Sequence, residues 1–227
     1  MTFSLVARDP RTGAFGIVVS SSSPAVAARC AHLAPGLGAV ASQNVTNPAL
    51  GIRGLRMLGQ GLAANQVIAD LVSAERFPAY RQLAVVDRGG QVAAFEGAAM
   101  LGAHAVAEGT GCVSAGNLLA NRDVPAAMVA AYEASQAPAF EERLLDGLRG
   151  AAAAGGEAGP VRSAGLAVVE DVEWRVTDLR VDDHETPLAE LERILRVWLP
   201  QKADYRTRGT DPTAAPSYAD IPEISGE

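Results

Sequence analysis

Thr2-Phe3-Ser4-Leu5-Val6-Ala7-Arg8 reads as a β-strand that begins at once. It stops at Asp9-Pro10-Arg11-Thr12-Gly13, where Pro and Gly stand in turn-forming positions. A second apolar run from Ala14 to Ser20 follows, so the two segments are expected to make an N-terminal hairpin. Thr2 becomes the first residue if Met1 is removed. A threonine at a free N-terminus carries a hydroxyl and an α-amine on neighbouring carbons. The hydroxyl can be a nucleophile, and the amine, with a reference pKa of about 8, can accept its proton. Fixing that pair to the end of a rigid strand makes a candidate catalytic unit. A small residue after Met1 also simply permits trimming, and that plainer reading stands beside the catalytic one.

Outward from this strand, Gly36 to Gln43 is a third strand candidate, and helices are expected over Pro48–Gln60 and Ala63–Glu75, the latter with Ile68, Leu71 and Val72 at helical spacing. Gln82–Asp87 and Gln91–Phe95 flank an Arg88-Gly89-Gly90 corner, a hairpin signature. Short strands continue near His104–Ala107 and Cys112–Ala115. A helix starts near Asp123, read as its N-cap, with Pro125 in the first turn. Another carries Phe140, Leu144, Leu145 and Leu148 on one side. Ala151–Gly159 reads as a small-residue linker, and Ser163–Val169 and Trp174–Val181 as two more strands. The last helix opens at Thr186-Pro187, and its Leu188, Leu191, Leu195 and Trp198 form a stripe for the core or for an interface. Residues 1–199 are expected to be one domain, and 200–227 an extended or disordered tail.

Hairpins join several neighbours, so the sheets should be largely antiparallel. Helices fall in pairs between blocks of strands. The α+β arrangement that buries every apolar face is a four-layer αββα sandwich. Composition agrees: 48% of residues are hydrophobic but only 5% aromatic, so Ala, Val and Leu must do the packing. The net charge of -7 would repel a phosphate backbone and argues against a nucleic-acid partner. No stretch is apolar and long enough to span a bilayer. The N-terminus lacks a basic region followed by an apolar stretch, which places the expected site of action in the cytoplasm.

The layer order and the position of Thr2 carry a resemblance. Together with Gly38-Ala39-Val40-Ala41-Ser42-Gln43, Asn47-Pro48, Gly51, Gly54-Leu55, Gly116-Asn117-Leu118-Leu119-Ala120 and Asp178-Leu179-Arg180-Val181-Asp182-Asp183-His184, the opening strand is similar to that of the DUF1028 family, within the N-terminal-nucleophile hydrolase-like fold. The resemblance implies that fold and a threonine nucleophile acting on a small amide through an acyl-threonine intermediate, with no cofactor or metal. It also implies a small-molecule substrate or ligand and a homo-oligomer, dimer or larger. Ser20–Ser23 departs from the Gln-Ser-His-like stretch of similar proteins, so specificity or activity is expected to differ if that stretch contacts substrate.

Polar residues at strand ends that could supply oxyanion or substrate contacts are Ser20, Ser21, Ser22, Gln43, Asn44 and Asn117. For each, a satisfied turn or cap is the plainer reading. Proteasome-like sites keep a lysine beside the nucleophile, but the one lysine here is Lys202, in the tail. Asp9, Arg29 and Arg162 are the candidates for charge support, against the plainer reading of turn residue or surface ion pair. Asp182-Asp183-His184 could form an acid–base cluster, but the plainer reading is acidic residues ahead of a helix start. The competing functions are a catalytically silent ligand-binding or assembly protein, and a thiol protein using Cys30 or Cys112.

Overall fold

The computed structural model describes residues 1–217. β1 (Thr2–Arg8) and β2 (Phe15–Ser21) close as an antiparallel hairpin, with Gly13 in the turn at a φ of 78° that favours glycine. The Asp9 carboxylate holds this turn by accepting from Arg11 N and Thr12 Oγ1. α1 (Val26–Cys30) and β3 (Ala31–Ala34) lead into β4 (Gly38–Gln43). Then come α2 (Pro48–Gly59), α3 (Ala64–Ala74), β5 (Gln82–Asp87), β6 (Val92–Glu96), β7 (Ala103–Gly109) and β8 (Cys112–Leu119). α4 (Val124–Ala134), α5 (Phe140–Ala153), β9 (Ser163–Val169), β10 (Arg175–Val181), α6 (Pro187–Trp198) and α7 (Lys202–Thr210) complete the described chain.

One sheet has six strands in the order β10-β9-β2-β1-β8-β7 and the other four in the order β3-β4-β5-β6, with every pairing antiparallel. Three cores separate four layers. Phe3, Leu5, Val18 and Leu166 pack with α4, α5 and α6 on the outer face of the larger sheet. Val6, Ile17, Ala41, Val86 and Ala115 meet between the sheets. Val40, Leu83 and Val85 pack with α2 and α3. This is the αββα sandwich expected from the pattern of elements. Each fully buried Leu, Ile or Phe contributes about 1.5–3 kcal/mol relative to exposure.

The alternation of β1 decides where its polar residues go. Phe3, Leu5 and Ala7 enter the helix-side core, so Thr2, Ser4 and Val6 face the space between the sheets.

Three expectations need correction. The tail is not extended where it begins: a single 3₁₀ turn at Leu199–Gln201 leads into α7. Lys202 Nζ holds this helix down, donating to Glu141 at 2.7 Å and Glu170 at 2.6 Å, while Arg206 pairs with Asp171 and Trp198 stacks near Tyr205. The end of the expected tail, residues 218–227, lies outside the described residues. Asp123 stands at the start of α4 but makes no side-chain cap. Asn121 Oδ1 instead accepts from Asp123 N and draws that backbone into the helical region. Thr186 likewise makes no side-chain cap, because its hydroxyl contacts His184 Nδ1. Of the two roles open to the Leu and Trp198 stripe of α6, it takes the core: Leu191 and Leu195 are buried, and Trp198 Nε1 donates to Thr177 Oγ1.

Candidate active site

β1 ends between two neighbours, β8 on one side and β2 on the other. Register sets Thr2 opposite Asn117 and sets Phe3 opposite Ser20, which leaves Ser21 beside Thr2. Thr2 Oγ1 lies 3.4 Å from Ser21 Oγ. Both hydroxyls donate to one acceptor, the carbonyl oxygen of Met1. Ser21 Oγ in turn accepts from Ser23 N at 3.1 Å. With Met1 in place, Thr2 is only 7% exposed.

Glu157 completes this cluster, and sequence reasoning missed it within the presumed linker. α5 ends at Ala153, and the chain returns along β8 with a bridge between Leu119 and Glu157. The Glu157 carboxylate accepts from Ser22 N at 3.0 and 3.2 Å and is 5% exposed. Burial pushes its pKa up to about 7, opposed by the Met1 ammonium and by the Ser22 hydrogen bonds. No lysine or arginine side chain is among the groups acting on it. One signal was available: Glu157 is the sole charged residue between Arg149 and Arg162.

Behind Thr2 a polar ladder crosses the inter-sheet space. Ser4 Oγ donates to Gln43 Oε1 at 2.8 Å, and Gln43 Nε2 donates to Gln82 Oε1 at 2.8 Å. Asn117 Nδ2 donates to the same Gln82 oxygen at 3.0 Å. Gln82 Nε2 donates to Glu96 Oε1 and Gly116 O, and the Glu96 oxygen also meets His104 Nδ1 at 2.9 Å. A buried network satisfied at each link is rigid, so it fixes the strand ends that carry Thr2. Gln82 and the Glu96–His104 pair were not singled out in the sequence.

The remaining candidates disperse. Ser20 Oγ donates to Ser163 O. Ser22 meets Glu157 through its backbone N–H and also through its side chain. Asn44, at a φ of 68°, donates to Tyr80 O and accepts from Leu101 N, holding the loops that carry the exposed Val45, Tyr80 and Leu101. Arg29 is directed to Pro24 O. Arg162 donates its backbone N–H to Ser21 O at 2.8 Å, but its guanidinium turns outward to Asp183. Asp9 lies at the other end of β1, about 23 Å from Thr2 at strand rise. There it pairs with Arg143 at 2.9 Å. Clefts of about 490 and 850 Å³ open at that distant end, lined by Asp9, Arg11 and the start of α7, so cleft size does not mark the Thr2 cluster.

Both cysteines are buried and free. Burial pushes the Cys30 thiol up, and burial with Glu133 pushes Cys112 up to about 12, which keeps both protonated near neutrality. Among the described residues no helix is long and apolar enough to cross a membrane, and no group of three or more His, Cys, Asp or Glu side chains is placed to hold a metal ion.

The model of a family of unknown function, DUF1028, matches residues 2–191. Protein SPO2555 from Silicibacter pomeroyi, of the same family, is 30% identical in sequence, with a TM-score of 0.83 over 90% of this chain and 89% of that one. Anbu (ancestral beta-subunit) from Yersinia bercovieri is 10% identical, with a TM-score of 0.40 over 87% of this chain and 97% of its own. An Anbu (Gly-1) mutant from Hyphomicrobium sp. strain MC1 is 13% identical, with a TM-score of 0.33 over 91% and 99%. At those scores nothing is carried across from Anbu. Among curated proteins none matches the chain in sequence. The match over residues 2–191 and the close superposition on SPO2555 agree, and this chain belongs to the DUF1028 family.

Proposed function

We propose that this protein is an N-terminal-nucleophile hydrolase that cleaves a small amide with the Thr2 hydroxyl once Met1 has been removed. One observation carries the reading: Thr2 Oγ1 and Ser21 Oγ converge on a single carbonyl oxygen at the end of a rigid strand. An amide carbonyl placed there has a nucleophile on one side and a hydrogen-bond donor for the developing oxyanion on the other. The freed Thr2 amine takes the hydroxyl proton and passes it to the departing amine. Water then cleaves the threonine ester. The Gln43–Gln82–Asn117 ladder holds the two strand ends in place and does not itself meet the substrate. The chemistry needs no cofactor, and the reading includes a cytoplasmic homo-oligomer of this chain.

A second reading has its own observation. In the untrimmed chain the Thr2 hydroxyl is bound to the Met1 carbonyl and nearly sealed, as suits a silent binding or assembly protein. Mass spectrometry of the N-terminus from the native host separates the two, followed by labelling of the trimmed protein with a β-lactone. The hydrolase reading expects loss of Met1, one label per chain on Thr2, and no label on Thr2→Ala. Retained Met1, or equal labelling of both proteins, overturns it.

A further inference from the structure

Among the described residues the two sheets have four open edges, β10 and β7 on the larger and β3 and β6 on the smaller. An open edge carries unpaired backbone N–H and C=O groups and takes up another strand unless something blocks it. One side of the sandwich is blocked. β10 carries a bulge of its own between Arg175 and Thr177, and its Arg175, Asp178 and Arg180 are tied into ion pairs. β3 has only four residues, and the carbonyl of Ala31, its first residue, already accepts from Arg175 Nη2 at 3.1 Å. The other side has no such guard. β7, Ala103-His104-Ala105-Val106-Ala107-Glu108-Gly109, holds no Pro, Lys or Arg. The irregularity in its pairing lies on β8, where three residue steps match two on β7. β6 packs over β7 and β8, so the two open edges lie on the same side. No residue of β6 or β7 is buried, although most are Ala, Val or Phe.

We infer that this edge pairs with a second copy of the chain, β7 against β7, antiparallel and centred on Val106. This deepens the homo-oligomer part of the proposed reading and rests on it, though not on the hydrolase chemistry. The hairpin fixes the register. Thr110 and Gly111 form a two-residue loop, with Gly109 opposite Cys112. The closing pair of such a hairpin is hydrogen-bonded, and bonded pairs then alternate with unbonded ones. Ala107 and Ala105 therefore bond to Ser114 and Gly116 on β8. Glu108, Val106 and, by the same alternation, His104 turn their N–H and C=O groups to the open edge. An antiparallel partner must match outward-turned residues with outward-turned ones, and a two-fold axis at Val106 matches all three. The side chains agree with that register. The exposed Glu108 of each copy stands opposite His104 of the other, an acid against an imidazole. Ala105 stands opposite Ala107, two small side chains that let the strands close. Opposite charges directly across a strand pair stabilise and like charges destabilise, and here no like charges meet. A strand that matches itself about its own centre fits a second copy in an isologous dimer, in which each copy offers the same patch.

Sedimentation velocity of the full chain over a concentration series reads the association. Wild type is expected as a dimer that dissociates on dilution. Val106→Pro removes an N–H turned away from β8, so the ladder within the chain is kept. The symmetric dimer loses that bond twice and should weaken by about tenfold or more. Glu108→Arg sets a cation against His104 and should weaken it by about threefold or more. Backbone amide exchange tests the register on the unaltered protein. The amides of Val106 and Glu108 should slow as concentration rises, whereas those of Ala105 and Ala107, bonded to β8, stay slow throughout. Should Val106→Pro fail to fold, Glu108→Arg and the exchange decide. An oligomer that neither substitution weakens, with fast amides at 106 and 108, overturns the inference and leaves a homo-oligomer built on another surface. A wild type that stays monomeric overturns both. Slow amides at 106 and 108 in a monomer also overturn the inference, because the chain's own residues then cover the edge. β-Lactone labelling of Thr2 is read separately, so none of these outcomes decides the hydrolase.

Discussion

Asp9, just past the end of β1, and Glu157, packed beside its start, are both buried carboxylates, at 1% and 5% exposure. They are neutralised differently. Asp9 meets the guanidinium of Arg143, the Arg11 backbone and the Thr12 hydroxyl. Nearby, Glu141 is likewise paired, with Lys202 and Thr177. At the other end Glu157 has the backbone N–H and the side chain of Ser22, and the chain's own ammonium acts on it only electrostatically. The contrast teaches that the turn end is closed by matched ion pairs, which hold the fold, whereas the Thr2 end keeps a carboxylate whose counter-charge is not a side chain. That asymmetry, and not cleft volume, distinguishes the candidate site.

The largest effect tests the turn end. Asp9→Ala leaves Arg143, whose side chain is 10% exposed, without its carboxylate. Stripping one partner from a buried pair costs about 3–5 kcal/mol. Urea unfolding should show that loss, while β-lactone labelling of Thr2 in whatever remains folded should be unchanged. A loss below about 1 kcal/mol would erase the contrast, because it would make Asp9 no more structural than a surface turn residue.

A smaller effect is expected at α7. Burial opposes the Lys202 charge, but Glu141 and Glu170 outweigh it and hold its pKa above the usual range. Lys202→Met keeps the stem and removes the charge, leaving Glu141 with Thr177 alone. A cost of about 2 kcal/mol is expected, below that of Asp9→Ala because Lys202 is only half-buried. Hydrogen exchange over residues 202–210 should quicken, with β1 left protected. Unaltered exchange there would mean that the rings of Trp198 and Tyr205 hold the helix without the ion pairs.

These two cases also show what was legible in the sequence. Asp9-Pro10-Arg11-Thr12-Gly13 announced the first hairpin because a turn is local chemistry, and α2 through α6 announced themselves by apolar spacing. α1 and β3 span five and four residues, too short for any period to register. α7 was read as tail because its anchors, Glu141 and Glu170, lie 61 and 32 residues away in the chain. Glu157 escaped for the same reason: Ser22, which holds it, is 135 residues earlier. Thr2 and Ser21 are both legible as strand-end polar residues, and strand pairing explains why only Ser21 of the serine run has its hydroxyl beside Thr2. Ser20 alternates to the other face, and Ser22 turns its backbone to Glu157.

The smallest effect concerns Glu157 itself, and its sign is fixed by the direction of the shift. The carboxyl has an ordinary value of 4.5 and is pushed up to about 7 in the folded protein, by burial first. Below pH 4.5 both folded and unfolded chains hold the proton, and the group has no net effect on stability. Between 4.5 and 7 the folded chain holds more proton than the unfolded one, so stability falls as pH rises, and above 7 the loss is complete. Glu157→Gln keeps an oxygen for Ser22 N and removes the charge. In the untrimmed protein the variant should match wild type at pH 4 and exceed it at pH 8 by about 1–2 kcal/mol, water at the edge of the site reducing the full penalty. The Asp9 pair has no counterpart to this gain: there, removing the carboxylate destabilises. If Glu157→Gln is instead less stable than wild type at pH 8, the Met1 ammonium and the Ser22 hydrogen bonds outweigh burial. Glu157 would then be a satisfied structural acid like Asp9, and the two ends of β1 would no longer differ.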